Sequence, residues 1–358
     1  MAARRADIRR GLHAMTEPQE ILKQLLTGAP LSERQSQSAF EQILSGLWSE
    51  AHIGAMLALI ASRPGGPTVD ELVGGARVMR RHVTPVALPA GARGRLIDTC
   101  GTGGAPKAFN VSTIAAIVTA AAAPGRVLIA KHGSTSRTGR GSAELMQSLG
   151  VNVAATPEAQ SRCLEKLGVC FCFAIHHHPA MKHAAPARKA LGFPTIFNLL
   201  GPLTNPAGAP RQLMGTYSAS LADKLAHTLA RLGAEKAIVV TSHDGLDELT
   251  ITDTNIVHTV ERGAISTRVL DAQSLGLTPA PFESLAAATL DDATRIAREV
   301  IAGAKGPHRD MVLLNVAGAL VAADAAADFA DGIAQAASAI DTGAASRTLD
   351  ALVAESNA

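Results

Sequence analysis

The sequence predicts an α/β protein in two parts, a small N-terminal helical domain and a larger α/β domain behind it. Two observations carry this. Helical apolar spacing and helix-start signals are concentrated between Glu17 and His82. From Leu96 onward, short apolar runs alternate with helical stretches. A chain of 358 residues has length enough for both parts and their cores.

In chain order, residues 1–15 carry Arg4, Arg5, Arg9 and Arg10 and lack the apolar core of a signal peptide. They read as a disordered extension, with Met15 a second candidate start. The helical domain spans 16–88. Pro18 to Leu26 has helical spacing, Ser32-Glu33-Arg34-Gln35 is a capping box, and Ser49 opens a third helix. Arg63-Pro64-Gly65-Gly66-Pro67 is a break, after which Thr68-Val69-Asp70-Glu71 caps a fourth helix to about Arg81. A Pro/Gly/Ala linker, 85–94, leads into the α/β domain, 89–358. Its strand candidates are Leu96-Ile97, 127–130, 151–153, 169–174, 236–240 and 254–260. Residues 179–207, a helix and a Pro/Gly-rich loop, are expected to pack back onto the helical domain. The tail from Asp292 reads as Ala-rich helices.

Composition narrows the function. Hydrophobic residues are 47%, charged residues 18% and the net charge +2, an ordinary soluble balance that argues against bulk nucleic-acid binding. Aromatics are only 3%, with Trp48 and Tyr217 single, so base-stacking platforms are excluded and the core is Ala, Leu, Val and Ile. The longest apolar run, 114–130, is broken by Pro124, Gly125 and Arg126, which excludes a membrane span. The four cysteines, Cys100, Cys163, Cys170 and Cys172, show no CxxC spacing and read as reduced, buried thiols of a cytoplasmic protein. Alternation puts Cys170 and Cys172 on one face of a strand.

Three stretches carry chemistry. The first runs from Asp98 to Thr113, DTCGTGGAPKAFNVST, followed by Lys131-His132-Gly133. It reads as strand, glycine-rich turn and helix start. Gly101, Gly103 and Gly104 let backbone approach a ligand, and a helix opening at Ser112 and Thr113 offers unpaired N–H donors that suit phosphate. Lys131 and His132 add charge nearby. The turn is neither a Walker P-loop nor a dinucleotide fingerprint, and alone it reads equally as a tight connection. The second is Asp247-Glu248, adjacent carboxylates after the strand ending near Val240. Hard oxygens beside a phosphate site hold Mg²⁺; taken alone the pair reads as a solvated acidic turn. The third is His176-His177-His178 in a strand, then Arg188 on a helix, then FNLLGPLTNP over 197–206. Three successive strand histidines cannot share one metal. Arg188 reads either as a fork for a carboxylate or as a solvated charge.

Taken in order, GTGG with FNVST, KHG, GSAE, HPAMK, FNLLGPLTNP and DGLDEL resemble the anthranilate phosphoribosyltransferase family over nearly the whole chain, about Glu17 to Leu352. The resemblance implies a mainly parallel central sheet of the nucleoside phosphorylase/phosphoribosyltransferase type and a site in the cleft between two domains. It also implies a homodimer formed through the helical domains. The implied reaction moves the phosphoribosyl group of phosphoribosyl pyrophosphate to anthranilate, in tryptophan biosynthesis. Carried across by residue, Gly101, Thr102, Gly103, Gly104, Asn110, Ser112, Thr113 and Lys131 would bind the donor. Asp247 and Glu248, with Ser112, would hold Mg²⁺. Gly101, His132, Ser134, His178, Arg188 and Pro202 would line the acceptor site, Arg188 facing the carboxylate. Lys131, Asp247 and Glu248 would be catalytic.

The chain departs from the family in two loops. Ala105 replaces the acid of GTGGD, and the loop to Phe109 is one residue short. Ser134 and Thr135 replace the Asn-Arg of KHGNR, and the turn to Arg140 is also one residue short, with Arg137 and Arg140 as substitute cations. Two other readings follow. One is a phosphoribosyltransferase for another aromatic or nucleobase acceptor. The other is a non-catalytic nucleic-acid-binding member, which the net charge and the retained acidic pair count against.

Overall fold

The computed structural model describes residues 17–103, 108–136 and 138–358. Residues 1–15, Gly104, Ala105 and Arg137, all singled out above, lie outside them. The described chain divides into a helical unit, which includes residues 17–82 and 179–200, and an α/β unit, which includes 83–178 and 201–358.

The helical unit follows its caps. Helices run Pro18–Leu26, Glu33–Leu44, Glu50–Ser62 and Val69–Arg81. Ser32 with Gln35 and Thr68 with Glu71 form complete capping boxes, and the Ser49 hydroxyl caps the third helix. The bundle buries Ile21, Phe40, Ile43, Ile53, Met56, Leu57, Ile60 and Leu72. Glu71 is fully buried among them. Its Oε1 accepts the Leu31 N–H at 3.0 Å, its Oε2 accepts the Thr68 N–H at 2.8 Å, and Arg63 pairs with both oxygens. The later segment of the unit holds the helices Ala185–Leu191 and Ile196–Leu200, and Phe197 meets the Phe40 ring edge-on at 5.4 Å.

In the α/β unit the described residues form a seven-stranded sheet. Its strands are β1 Leu96–Gly101, β2 Leu128–Gly133, β3 Val169–Phe173, β4 Arg211–Gly215, β5 Lys236–Ser242, β6 Asn255–Glu261 and β7 Ala264–Leu270, in the order β3-β2-β1-β4-β5-β6-β7. Pairings from β3 through β5 are parallel, and β6 and β7 add antiparallel. The mainly parallel α/β architecture is therefore as expected. The almost wholly buried helix Pro307–Ala322 and the helix Val111–Ala122 pack within this unit. Small residues allow the close approaches: a side chain at Gly332 would strike Ala317, and one at Gly318 would strike Leu249.

Three sequence expectations change. Residues 151–153 form no strand. The Val151 N–H goes to Met146, the Asn152 N–H to the Ser356 hydroxyl, and the Asn152 side chain takes the Ala154 N–H, so local turns use the groups a ladder needs. Two strands were not expected. β4 opens with polar Arg211 and Gln212, which mask an interior strand, and β7 is a largely exposed edge. Residues 201–207 group with the α/β unit, where Asn205 donates to the Ala130 carbonyl at 2.8 Å and Pro206 accepts the Val86 N–H at 3.2 Å. Among the described residues, no helix is long and apolar enough to cross a membrane.

Glu71→Ala leaves the half-buried Arg63 and two main-chain donors without their acceptor. The expected loss is about 3–5 kcal/mol from the helical unit. Urea unfolding followed through Trp48, the single tryptophan, measures it; an unchanged midpoint contradicts the buried role.

Candidate active site

The sheet brings the glycine turn and the acidic pair together at the C-terminal ends of its parallel strands. β1 and β4 are in register so that Gly101 lies beside Gly215. A side chain at Gly215 would strike the Asp247 main-chain carbonyl, and one at Gly101 would strike the Asp247 carboxylate. The missing Cβ atoms thus admit the 247–248 turn to the strand ends. The turn is prepared by β5: the Ser242 hydroxyl accepts the Leu246 N–H at 2.9 Å, and Asp244 is held by the hydroxyls of Ser242 and Thr252. Behind it, Asn315 takes the Leu249 N–H at 3.1 Å and donates to the Leu249 carbonyl at 2.7 Å.

The expected free N–H donors are partnered. The Gly103 N–H donates to Asp247 Oδ2 at 2.8 Å, and the Ser112 N–H donates to Glu248 Oε1 at 3.2 Å. Gly103 has φ +68°, the left-handed conformation that glycine adopts without strain. Thr102 sends its N–H to the Gly215 carbonyl at 2.9 Å. The glycine turn and the acidic pair are thus one hydrogen-bonded unit. Burial pushes the Glu248 carboxyl up to about 8, and the adjacent Asp247 charge pushes the same way. Two adjacent carboxylates offer the oxygen ligands that a hard divalent cation takes. Ser112 and Thr113 lie in the first turn of the helix Val111–Ala122, with Asn110 at its N-cap. Asn110 does not cap that helix; its amide donates to the Arg140 carbonyl at 3.2 Å.

Lys131, on β2, is 2% exposed, and its ammonium donates to the Thr99 carbonyl at 2.6 Å. Beside it, the His132 and His178 rings lie 5.1 Å apart, both buried. Neither Nε2 has a hydrogen-bond partner among the described residues. Burial holds both imidazoles below the ordinary range, His178 at about 4. Residues 201–204 flank the pair, since the Gly201 main chain bonds His132 and the Thr204 main chain bonds His178. Pro202 is tied down by Gln212, whose amide donates to the Pro202 carbonyl at 2.7 Å.

The three histidines are not in a strand. β3 ends at Phe173, and Ala174–His177 is one helical turn. His176 is exposed against Phe173, and His177 bonds Gln160 and the Thr84 carbonyl. Only His178 reaches His132. Cys170 and Cys172 do share a face, with sulfurs 3.6 Å apart and both thiols free and buried.

The substituted loop is internally bonded. The Ser134 N–H donates to the Ser142 hydroxyl at 3.1 Å, Glu144 accepts the N–H groups of Ser136 and Gly141, and the Arg140 guanidinium donates to the Ala287 carbonyl. In the helical unit, Arg188 stacks over the Phe197 ring at 5.2 Å, and burial lowers its pKa. Sequence reasoning omitted Asp98, Gly215 and Asn205 from the site. An acid inside the apolar strand LIDTC was the available signal for Asp98.

The neutral histidines set a pH dependence. A His178 pKa of about 4 in the fold, against 6.5 for an ordinary imidazole, means the unfolded chain takes up the proton first. The stability it contributes is complete above 6.5 and is lost as pH falls towards 4. Urea midpoints measured between these limits should fall less in His178→Gln than in wild type; an identical fall rules the assignment out.

The comparisons agree with this geometry. A family model described as "Glycosyl transferase family, a/b domain" matches residues 93–346, and one described as "Glycosyl transferase family, helical bundle domain" matches 19–83. The anthranilate phosphoribosyltransferase of Methylobacterium nodulans is 45% identical, covering 94% of this chain and 98% of that protein. That of Moorella thermoacetica is 44% identical, covering 93% and 96%. Among solved structures, anthranilate phosphoribosyltransferase from Thermus thermophilus aligns with a TM-score of 0.86 at 35% identity, covering 94% of this chain and 99% of that one. The Saccharomyces cerevisiae enzyme in complex with phosphoribosyl pyrophosphate and Mg aligns at 0.85 with 27% identity, covering 96% and 99%. With such similarity along nearly its full length, the chain belongs to the anthranilate phosphoribosyltransferase family.

Proposed function

We propose that this chain transfers the phosphoribosyl group of 5-phosphoribosyl 1-pyrophosphate to the amine of anthranilate, releasing pyrophosphate, as a Mg²⁺-dependent homodimer of the cytoplasm in tryptophan biosynthesis. One observation carries the reading: the strand-end glycine turn and the acidic pair meet in one hydrogen-bonded unit, through Gly103 N–H to Asp247 and Ser112 N–H to Glu248. The relatives' names and the donor- and Mg-bound yeast structure support it.

The chemistry explains the division of labour. The anthranilate nitrogen gives its lone pair to the ribose C1, the C1–O bond to pyrophosphate breaks, and the nitrogen then loses a proton. The costly event is charge separation at the leaving group. Asp247, Glu248 and the Ser112 hydroxyl would hold Mg²⁺, which would supply charge neutralisation there. Water and substrate oxygens would complete its shell. Gly101, Thr102, Gly103, Gly104, Asn110, Thr113 and Lys131 bind the donor. An aromatic amine needs orientation more than a strong base. Neutral His132 and His178, with Ser134 and Pro202, position it, and Arg188 reads its carboxylate. Ser134 and Thr135 in place of Asn-Arg favour one second reading, a changed aromatic acceptor with the same donor.

Anthranilate fluorescence tests the proposal directly. Fluorescence should fall on adding phosphoribosyl pyrophosphate and Mg²⁺, and EDTA should stop the fall. A constant signal while calorimetry still detects donor binding would shift the assignment to the second reading, for which a screen of other amines follows. Asp247→Ala with Glu248→Ala should cut turnover by about 10³-fold or more while circular dichroism stays native. Wild-type turnover in the double variant at saturating Mg²⁺ would refute the metal assignment.

A further inference from the structure

Asp98 is a buried acid that the acidic pair does not explain. It lies on β1, fully buried, and its Oδ1 accepts the His132 N–H at 3.1 Å. Its Oδ2 is buried with no hydrogen-bond partner among the described residues. Burial pushes the Asp98 carboxyl up, and the nearby Lys131 charge and Asn205 amide only partly offset that push. Asn205 in turn donates to the Ala130 carbonyl at 2.8 Å, one residue before Lys131. Taking an ionised carboxylate out of water costs several kcal/mol, more than one main-chain hydrogen bond returns. An aliphatic residue would fill this strand position at lower cost if packing alone mattered. The arrangement makes sense when a second buried charge must be balanced. Lys131 is that charge, and the carbonyls of Thr99 and His132 that it bonds are neutral acceptors.

We propose that Asp98 is a positioning residue for phosphoribosyl transfer: its charge balances the Lys131 ammonium, which bonds the adjoining Thr99 carbonyl, and its Oδ1 fixes the His132 main chain, at the ends of β1 and β2. The inference rests on the functional reading above. It differs from a purely structural role, in which Asp98 only staples β1 to β2. Asp98→Asn separates the two, because the amide keeps an oxygen for the His132 N–H and loses only the charge.

The test is a double-variant cycle on the full chain, read as the affinity for phosphoribosyl pyrophosphate with Mg²⁺ by calorimetry. Wild type, Asp98→Asn, Lys131→Met and the double variant are compared. Asp98→Asn should weaken donor binding by about tenfold or more, the scale of a charge-assisted contact. The double variant should bind no more weakly than Lys131→Met alone, since Asp98 acts through Lys131. Wild-type affinity in Asp98→Asn, or losses that multiply in the double variant, would overturn the proposal. Wild type that binds no donor would instead sink the functional reading, and this inference with it. If Asp98→Asn does not fold, circular dichroism decides. Recovery of the fold in the double variant supports charge balance, and a double variant as unfolded as the single overturns it.

Discussion

Two glycines side by side on neighbouring parallel strands are the constraint on which the site depends. Gly101 ends β1, Gly215 ends β4, and their register makes them partners. No other residue type would leave the Asp247 main chain room at that position. Once the 247–248 turn is seated there, its carboxylates reach the Gly103 and Ser112 N–H groups, and the glycine turn and acidic pair become one unit. The sheet order matters equally. β1 is flanked by β2, which carries Lys131 and His132, and by β4, so cationic and anionic groups meet around a single strand. Parallel strands present their carboxyl ends on one side, where open α/β sheets bind ligands.

The site also concentrates costs that a merely stable fold would avoid. Asp98, Lys131, His132 and His178 are all withdrawn from water, and Glu248 is half-buried. For Asp98, His132, His178 and Glu248 burial outweighs the partners that oppose it. For Glu248 burial and the Asp247 charge act together and raise its pKa to about 8. For His178 burial dominates and leaves a neutral imidazole at physiological pH. Two environments therefore share one cluster: adjacent carboxylates in one part and buried, neutral imidazoles in another.

Much of this was legible in the amino-acid sequence because local chemistry encodes it. Capping boxes at Ser32 and Thr68 announce helices through three-residue spacing, and the glycine turn, the DGLDEL acids and the KHG strand end are contiguous motifs. What escaped depends on long-range partners. Arg211 and Gln212 make β4 look polar, yet its two parallel neighbours bury it. Val151–Val153 looks extended by composition, yet Asn152 ties its backbone into turns. The expectation that the helix-start N–H groups are free failed for a related reason. Their partners, Asp247 and Glu248, lie more than a hundred residues away. Asp98 shows locally only as an acid in an apolar strand, and the positions of Lys131, His132 and Asn205 give it meaning.

The glycine pairing can be challenged by a single methyl group. Gly215→Ala places a Cβ against the Asp247 carbonyl and must displace the 247–248 turn. Its Mg²⁺-dependent turnover of anthranilate and phosphoribosyl pyrophosphate, measured beside its circular dichroism, is the most direct test of the account. A native spectrum with turnover lowered by about 10²-fold or more is the predicted result, on the scale of misplacing catalytic groups by an ångström. Wild-type turnover in Gly215→Ala would show that the acidic turn does not depend on that gap, and would contradict the account.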